Sequence, residues 1–421
     1  MLTCARVNSF ETELHQRLAD IKSTGLLREL RRVDSAQGPR IEINGRSLLN
    51  FSSNDYLGLA NHPALKEAAV KAVEKFGAGA GASRLICGSL APFHELEEAL
   101  ATFKGTEAAL SFSTGYAAAL GTITALLGKD DIIIVDKLVH ACIVDAAKLS
   151  GAKLRVFAHN DLEDLEKILT WSSQNPRPQT PDTKTLVVTE SIFSMDGDAA
   201  PLREIVALKE KYGAWLMVDE AHATGLYGAN HRGLAEQLGV SHRIEVQMGT
   251  LGKAIGASGG YICGSRALID FLVNRARSFI FSTAPVPAAA AAATAAIKLV
   301  QSVEGRKLNE QLWRHVQAVG DDVRRLKLIP VEDQRLLTSS PTEIRSAIVP
   351  IIIGEESAAV AAAAKLREQN IFVPAIRYPT VARGAARLRV TLTAAHTSED
   401  VQTLVAALSQ IANRQSPIGN S

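Results

Sequence analysis

The chain has 421 residues, 47% hydrophobic and 21% charged, with 46 Lys and Arg against 44 Asp and Glu for a formal charge of +2. That composition excludes a disordered chain, and a near-neutral balance without long basic runs leaves no electrostatic footprint for a nucleic-acid partner. Cys4, Cys87, Cys142 and Cys263 are too widely spaced for a zinc knuckle or a redox pair, which suits a reduced intracellular chain.

The opening MLTCARVNSFETEL has no apolar signal core and carries Glu11 and Glu13, so a cytoplasmic location is expected. An amphipathic helix is followed by a hairpin, Ile41 to Leu49, turning at Asn44-Gly45. This first segment, 1–60, is expected to pack against the C-terminal part. His62 to Phe76 reads as a helix. From about residue 106 to 265, β-branched runs alternate with helical patterns, the signal of repeated βα units and a mostly parallel sheet. The expected strands are Ala108 to Phe112, Ile132 to Val135, Leu154 to Phe157, Leu186 to Thr189, Trp215 to Asp219, Ile244 to Met248 and Tyr261 to Cys263. Several are apolar throughout, as strands covered on both faces must be. Thr170 to Thr185, with Pro176, Pro178 and Pro181, reads as a surface loop. Ala284 to Ile297 is broken by Pro285, Pro287 and Thr294; it is too short to span a bilayer, so no membrane is expected and a buried alanine-rich helix is.

Helical pattern then continues to about Leu328, Ile348 to Ile353 reads as a strand, Ala358 to Gln369 as a helix, and Asn413 to Ser421 as a polar tail. The expected class is α/β, a mostly parallel central sheet with helices on both faces in a large domain at 61–300, plus a smaller α+β domain at 301–421.

Chemistry-bearing residues gather just after strands. WLMVD ends in Asp219, followed by Glu220, Ala221 and His222, at the strand edge where open α/β sheets bind ligands. The competing reading is a helix N-cap, and a metal reading lacks a further ligand at the usual spacing. Gly249 to Ala254 also follows a strand. A phosphate-binding P-loop would need glycine where Gln247 stands and Ser or Thr where Ala254 stands, so it is rejected. Gly256 to Gly260 matches the G-x-S-x-G elbow, yet Tyr261 to Cys263 continues as a strand; a serine hydrolase with Ser258 as nucleophile and His396 as base stays as a cross-check hypothesis. Gly77 to Ala82 resembles a dinucleotide fingerprint without its leading strand. Ser113-Thr114-Gly115-Tyr116 opens a helix after a strand, which suits a phosphate or simple capping. Taken together, these pieces call for a cofactor with a phosphate, an electron-poor ring and a carbonyl. Pyridoxal phosphate meets all three, with a lysine for its aldehyde and an aspartate to keep its ring nitrogen protonated.

The chain resembles the α-oxoamine synthases of the fold-type I pyridoxal-phosphate enzymes. The resemblance rests on NFSSNDYLGL (50–59), GAGASR (79–84), FSTGYAAA (112–119), the His140 region, TESIFSMDGDAAPL (189–202), VDEAHATGLYG (218–228), GTLGKAIGASGGY (249–261), FIFSTAPVP (279–287) and RLRVTLTAAHT (387–397), in the family's order. It implies pyridoxal 5'-phosphate as cofactor, Lys253 as the Schiff-base lysine and Asp219 as partner of the pyridine nitrogen. His222 and Ser194 would face the ring's phenolic oxygen, His140 would stack on the ring, and Gly115, Tyr116 and Thr250 would lie at the phosphate end. Thr283 would reach the phosphate of the neighbouring subunit of a homodimer. Arg389, with Asn54 nearby, would hold the amino acid's carboxylate through arginine's bidentate geometry. Arg28, Arg377 and Thr380 would face the acyl donor.

The implied reaction is a decarboxylative condensation of an amino acid with an acyl thioester. NFSSNDYLGL and AIRYPTV (375–381) favour L-alanine and a pimeloyl thioester, pimeloyl-CoA or pimeloyl-ACP, over sister activities such as glycine C-acetyltransferase. An amine acting as base near neutrality must be partly uncharged, so Lys253 is expected to titrate well below an ordinary lysine.

Overall fold

The computed structural model describes residues 4–174, 183–325 and 345–413. The middle of the proline-bearing loop (175–182), residues 326–344 and the tail from 414 lie outside the described residues. The strands are β1 (Arg40–Ile43), β2 (Arg46–Asn50), β3 (Ala108–Phe112), β4 (Ile132–Asp136), β5 (Lys153–Phe157), β6 (Thr185–Glu190), β7 (Trp215–Asp219), β8 (Val246–Thr250), β9 (Gly260–Gly264), β10 (Ile348–Gly354), β11 (Ile371–Phe372), β12 (Ala375–Ile376) and β13 (Ala386–Thr391).

Seven of them form the central sheet in the order β3-β9-β8-β7-β6-β4-β5, with β9 alone antiparallel to its neighbours. The apolar runs follow from burial on both faces. Successive side chains point to opposite sides of a strand. Ile132 and Ile134 of β4 therefore join one core with Val187, Leu216 and Val218, while Ile133 and Val135 join a second with Leu186, Val188 and Met217. Parallel strands deliver their carboxyl ends to one edge, which gathers Asp136, Glu190, Asp219 and Thr250 there.

β8 runs two residues later than the sequence pattern suggested. Ser241–Arg243 is a 3₁₀ turn, and pairing of Met217 with Val246 starts the ladder, so Thr250 becomes the strand's last residue. The expected helix to about 328 is two helices among the described residues, Pro287–Val300 and Val303–Arg325. Gly305 lies at their junction, where a Cβ would come within 2.3 Å of Leu299 O, so the chain turns closely there. In the first of these helices, Ala290, Ala293 and Ala296 present a small-residue face, and it packs against the helix Pro63–Phe76.

The hairpin turns at Asn44 (φ 51°) and Gly45 (φ 70°), the left-handed pair a two-residue turn demands. β11 adds to β2 in parallel, so residues 371–372 complete a sheet begun at residue 40. A third sheet, β10-β13-β12, is antiparallel. Among the described residues, no helix is long and apolar enough to cross a membrane.

Candidate active site

Asp219 closes β7 and is buried, 5% exposed. Its Oδ1 accepts from Ala221 N at 2.9 Å. No helix follows it, only turns, so capping is not its task. Burial raises its carboxyl above the usual range, and the nearby Lys253 charge opposes that rise. Glu220 points away from the site, to Lys104 and to Ala235 N.

Lys253 lies in the turn between β8 and β9, and its Nζ is 2.7 Å from His222 Nε2. Burial pushes the amine down to about 8, with Asp219 and Glu190 resisting and Arg389 assisting. His222, also buried, is held well below the imidazole range by desolvation, with Lys253 and Arg389 adding to it. It is therefore neutral, and with the lysine protonated and donating to Nε2 its own proton sits on Nδ1. Nδ1 donates to Tyr56 Oη at 2.6 Å, and Tyr56 donates to Asn54 Oδ1 at 3.2 Å. Asn54 Oδ1 also accepts from Arg389 Nη1 at 3.1 Å. One chain of donors thus runs from the amine to Asn54, where it meets Arg389.

Arg389 stands on β13, and its Nε donates to Ser194 O at 2.6 Å. Arg387, two residues earlier and so on the same strand face, holds Asp196. Alternating arginines on a strand usually face water; both are buried here, 7% and 6% exposed, because the loop after β6 accepts from them.

His140 precedes the helix Ala141–Ser150 and caps it, its Nδ1 accepting from Cys142 N at 3.2 Å. Its backbone N donates to Glu190 Oε1 at 2.6 Å. Partial burial lowers its imidazole pKa, and Asp219 and Lys253 are close enough to act on it.

At the other end of the site, Gly115 begins the helix Gly115–Leu126, with Thr114 capping it through Ala117 N at 3.0 Å. A Cβ on Gly260 would lie 2.5 Å from Thr114 O and 2.6 Å from Gly115 N, so glycine there is what lets β9 approach this helix start, while one on Gly115 would make only an ordinary contact with Thr250 Cβ at 3.7 Å. The first amides of a helix lack intrahelical partners, which makes the place an anion seat. Tyr116 is exposed and donates to Asp145 Oδ2 at 2.7 Å.

Arg28, Arg377 and Thr380 come together without a side-chain hydrogen bond to this cluster: Arg28 Nη2 reaches Thr380 Oγ1 at 3.5 Å and Arg377 Nη2 donates to Leu27 O at 3.1 Å. Thr283 is exposed, bridged to Ser83, and shares no hydrogen bond with the Lys253 group. The hydrolase reading fails. Ser258 is exposed before β9, whereas His396 is buried with Nδ1 accepting from Thr393 N and Nε2 donating to Asn50 O.

Glu190 and Tyr56 were not singled out by sequence reasoning, although both lie inside quoted motifs. The available signal for Glu190 was LVVTE, a buried strand ending in an acid like WLMVD beside it.

The donor set fits pyridoxal 5'-phosphate. A buried aspartate whose Oδ2 has no hydrogen-bond partner among the described residues suits a pyridinium, a lysine held near neutrality suits an aldehyde, and a helix start beside Thr250 suits a phosphate.

The family model Aminotransferase class I and II matches residues 46–408. A curated 8-amino-7-oxononanoate synthase of Geobacter sulfurreducens is 46% identical over 394 residues, spanning 94% of this chain and 96% of its own length. A serine palmitoyltransferase of S. paucimobilis, solved with bound PLP, superposes with a TM-score of 0.86 at 29% identity, covering 96% of this chain and 98% of its own. A crystal structure of 8-amino-7-oxononanoate synthase from Francisella tularensis gives 0.71 at 29%, covering 87% and 97%.

Proposed function

The chain belongs to the aminotransferase class I and II family and, within it, to the 8-amino-7-oxononanoate synthases, and from that premise we propose how its residues divide the work. The enzyme is a pyridoxal-phosphate-dependent acyltransferase of biotin biosynthesis. It joins the α-carbon of L-alanine to the carbonyl carbon of a pimeloyl thioester; the thiol leaves, the alanine carboxyl departs as CO₂, and 8-amino-7-oxononanoate remains.

When bound, the cofactor supplies an electron-poor ring that stabilises negative charge developing at the amino acid's α-carbon. Asp219 holds the ring nitrogen in its protonated form, because a buried carboxylate beside it favours the cation. Lys253 carries the cofactor and, once freed, takes the α-proton at Nζ. With the amine near 8, roughly a tenth of it is a free base at pH 7. His222 and Ser194 would hold the cofactor at its phenolic oxygen, His140 at its ring, and Gly115, Tyr116 and Thr250 at its phosphate. Arg389 takes the alanine carboxylate, for which its contact with Asn54 is exchanged, and Arg28, Arg377 and Thr380 meet the acyl donor. The same reading makes the protein a homodimer in which Thr283 reaches the phosphate end of the partner's site.

The observation that carries this reading is the convergence of Lys253, His222 and Asp219 on the carboxyl edge of β7 and β8. The test offers purified protein alanine, glycine and serine with pimeloyl, acetyl and palmitoyl thioesters on coenzyme A or acyl carrier protein, and weighs the products. Alanine with a pimeloyl thioester should give 8-amino-7-oxononanoate, and Lys253→Ala should lose both product and borohydride-fixed cofactor at position 253. Glycine outcompeting alanine would reassign the chain to a sister enzyme.

A further inference from the structure

β6 and β7 are neighbours in the central sheet, and their register pairs Glu190 directly with Asp219. Both are the last residues of their strands, 2% and 5% exposed. Two carboxyl groups therefore stand side by side at the sheet edge, out of water, and like charges so placed resist joint ionisation.

Glu190 is engaged on two sides. Its Oε1 accepts from His140 N at 2.6 Å, and the backbone N–H of Ser194 also donates to its carboxyl. His140 enters from the loop after β4 and Ser194 from the loop after β6, so this one carboxyl fastens both loops to the sheet edge. His140's ring is tied in turn to the helix start it caps. The groups that face Glu190 are Asp219, Lys253, His140 and Ser194, and none of them is a cation fixed to it by a salt bridge.

Resting on the cofactor reading above, we propose that Glu190 is a positioning residue of the reaction. Its carboxyl carries the proton of the Glu190–Asp219 pair, leaving the pair's negative charge on Asp219, while its acceptor oxygens fix the backbone of His140 and Ser194 around the cofactor. Burial and the charge of Asp219 push Glu190 up to about 8, in accord with a neutral acid at pH 7. The carbonyl oxygen of a protonated carboxyl still accepts from an amide, so the two tasks do not conflict. Lys253 acts on both carboxyls but more strongly on Asp219, which favours the ionised form there.

Three variants test this in the cofactor-loaded protein and in the cofactor-free protein. Glu190→Gln reproduces the neutral, accepting state; it should stay within about threefold of the parent in kcat/KM at pH 7. Glu190→Leu removes the acceptor and should lose tenfold or more, mostly in kcat, with a weakened circular-dichroism band of the bound cofactor. Glu190→Asp withdraws the carboxyl by one methylene and should fall between them. A second readout needs no turnover: peptide-mapped acylation of Lys253 against pH in cofactor-free protein. A neutral Glu190 puts no charge beside the Lys253 amine, so the labelling midpoint in Glu190→Gln should stay close to the parent's, whereas loss of an ionised Glu190 would lower it by about half a unit or more. Equal damage in Gln and Leu variants, or a midpoint lowered by about half a unit or more in Glu190→Gln, overturns the proposal. Failure of the cofactor reading looks different, since the parent protein would then show no borohydride-fixed cofactor at Lys253.

Discussion

Lys104→Met in the ion pair behind the site should leave a buried carboxylate without its cation. Lys104 ends the helix Ala91–Lys104, Glu220 follows Asp219 in the chain, and each side chain is 1% exposed. Burial lowers the Lys104 amine, but the Glu220 charge outweighs it and the amine is raised overall. Lys104 Nζ also donates to Arg232 O at 2.6 Å, and Glu220 Oε1 accepts from Ala235 N at 2.9 Å. Methionine keeps the length and apolar stem and deletes the charge. Breaking such a pair costs about 3–5 kcal/mol, and the stranded Glu220 relieves part of this by binding a proton on folding. An ionised buried Glu220 needs its cation and a protonated one does not, so the loss should be larger at pH 8 than at pH 5. Equilibrium urea unfolding at pH 5, 6, 7 and 8 measures it. Lys104→Met with Glu220→Gln should recover most of the loss and flatten its pH dependence. A single variant that loses under about 1 kcal/mol at every pH refutes the reasoning.

His159 sits between Asp136 Oδ1 at 2.9 Å and Asp198 Oδ2 at 2.7 Å. Burial alone would lower its pKa, yet the two carboxylates raise it to about 10. Its protonation is worth at most about 5 kcal/mol, and solvent reaching the 24% exposed side chain cuts that to about 2. The contribution is complete below pH 6.5 and fades as pH rises to about 10, so the stability gap to His159→Gln in urea should narrow across that window; a constant gap contradicts it. Gly260→Ala would drive a methyl to 2.5 Å from Thr114 O and 2.6 Å from Gly115 N. Overpacking of 1–3 kcal/mol at the phosphate seat should weaken pyridoxal phosphate binding by about tenfold, read by fluorescence titration, with unchanged affinity as the contrary result.

The central strands were legible because parallel strands covered on both faces must be apolar, and turn and cap residues bounded them. Lys253, Asp219 and His222 were legible as reactive types placed directly after such strands. Glu190 was not, since one acid at the end of one strand says nothing until register sets it beside Asp219. Arg389 was expected at the amino acid's carboxylate, but the burial of both β13 arginines was not legible, since it depends on Ser194 and Asp196, almost two hundred residues away. Thr283 shows a further limit, because a residue expected to act in another subunit has no role readable from one chain.

The short parallel pairing of β2 with β11 has a temporal meaning. The hairpin is synthesised by residue 50, but its third strand arrives only at residue 371. At ribosomal speeds of about 5–20 residues per second, that interval lasts roughly 15 to 65 s. Throughout it, one edge of β2 stays bare beside the growing chain, so the earliest strands to emerge are among the last to be locked.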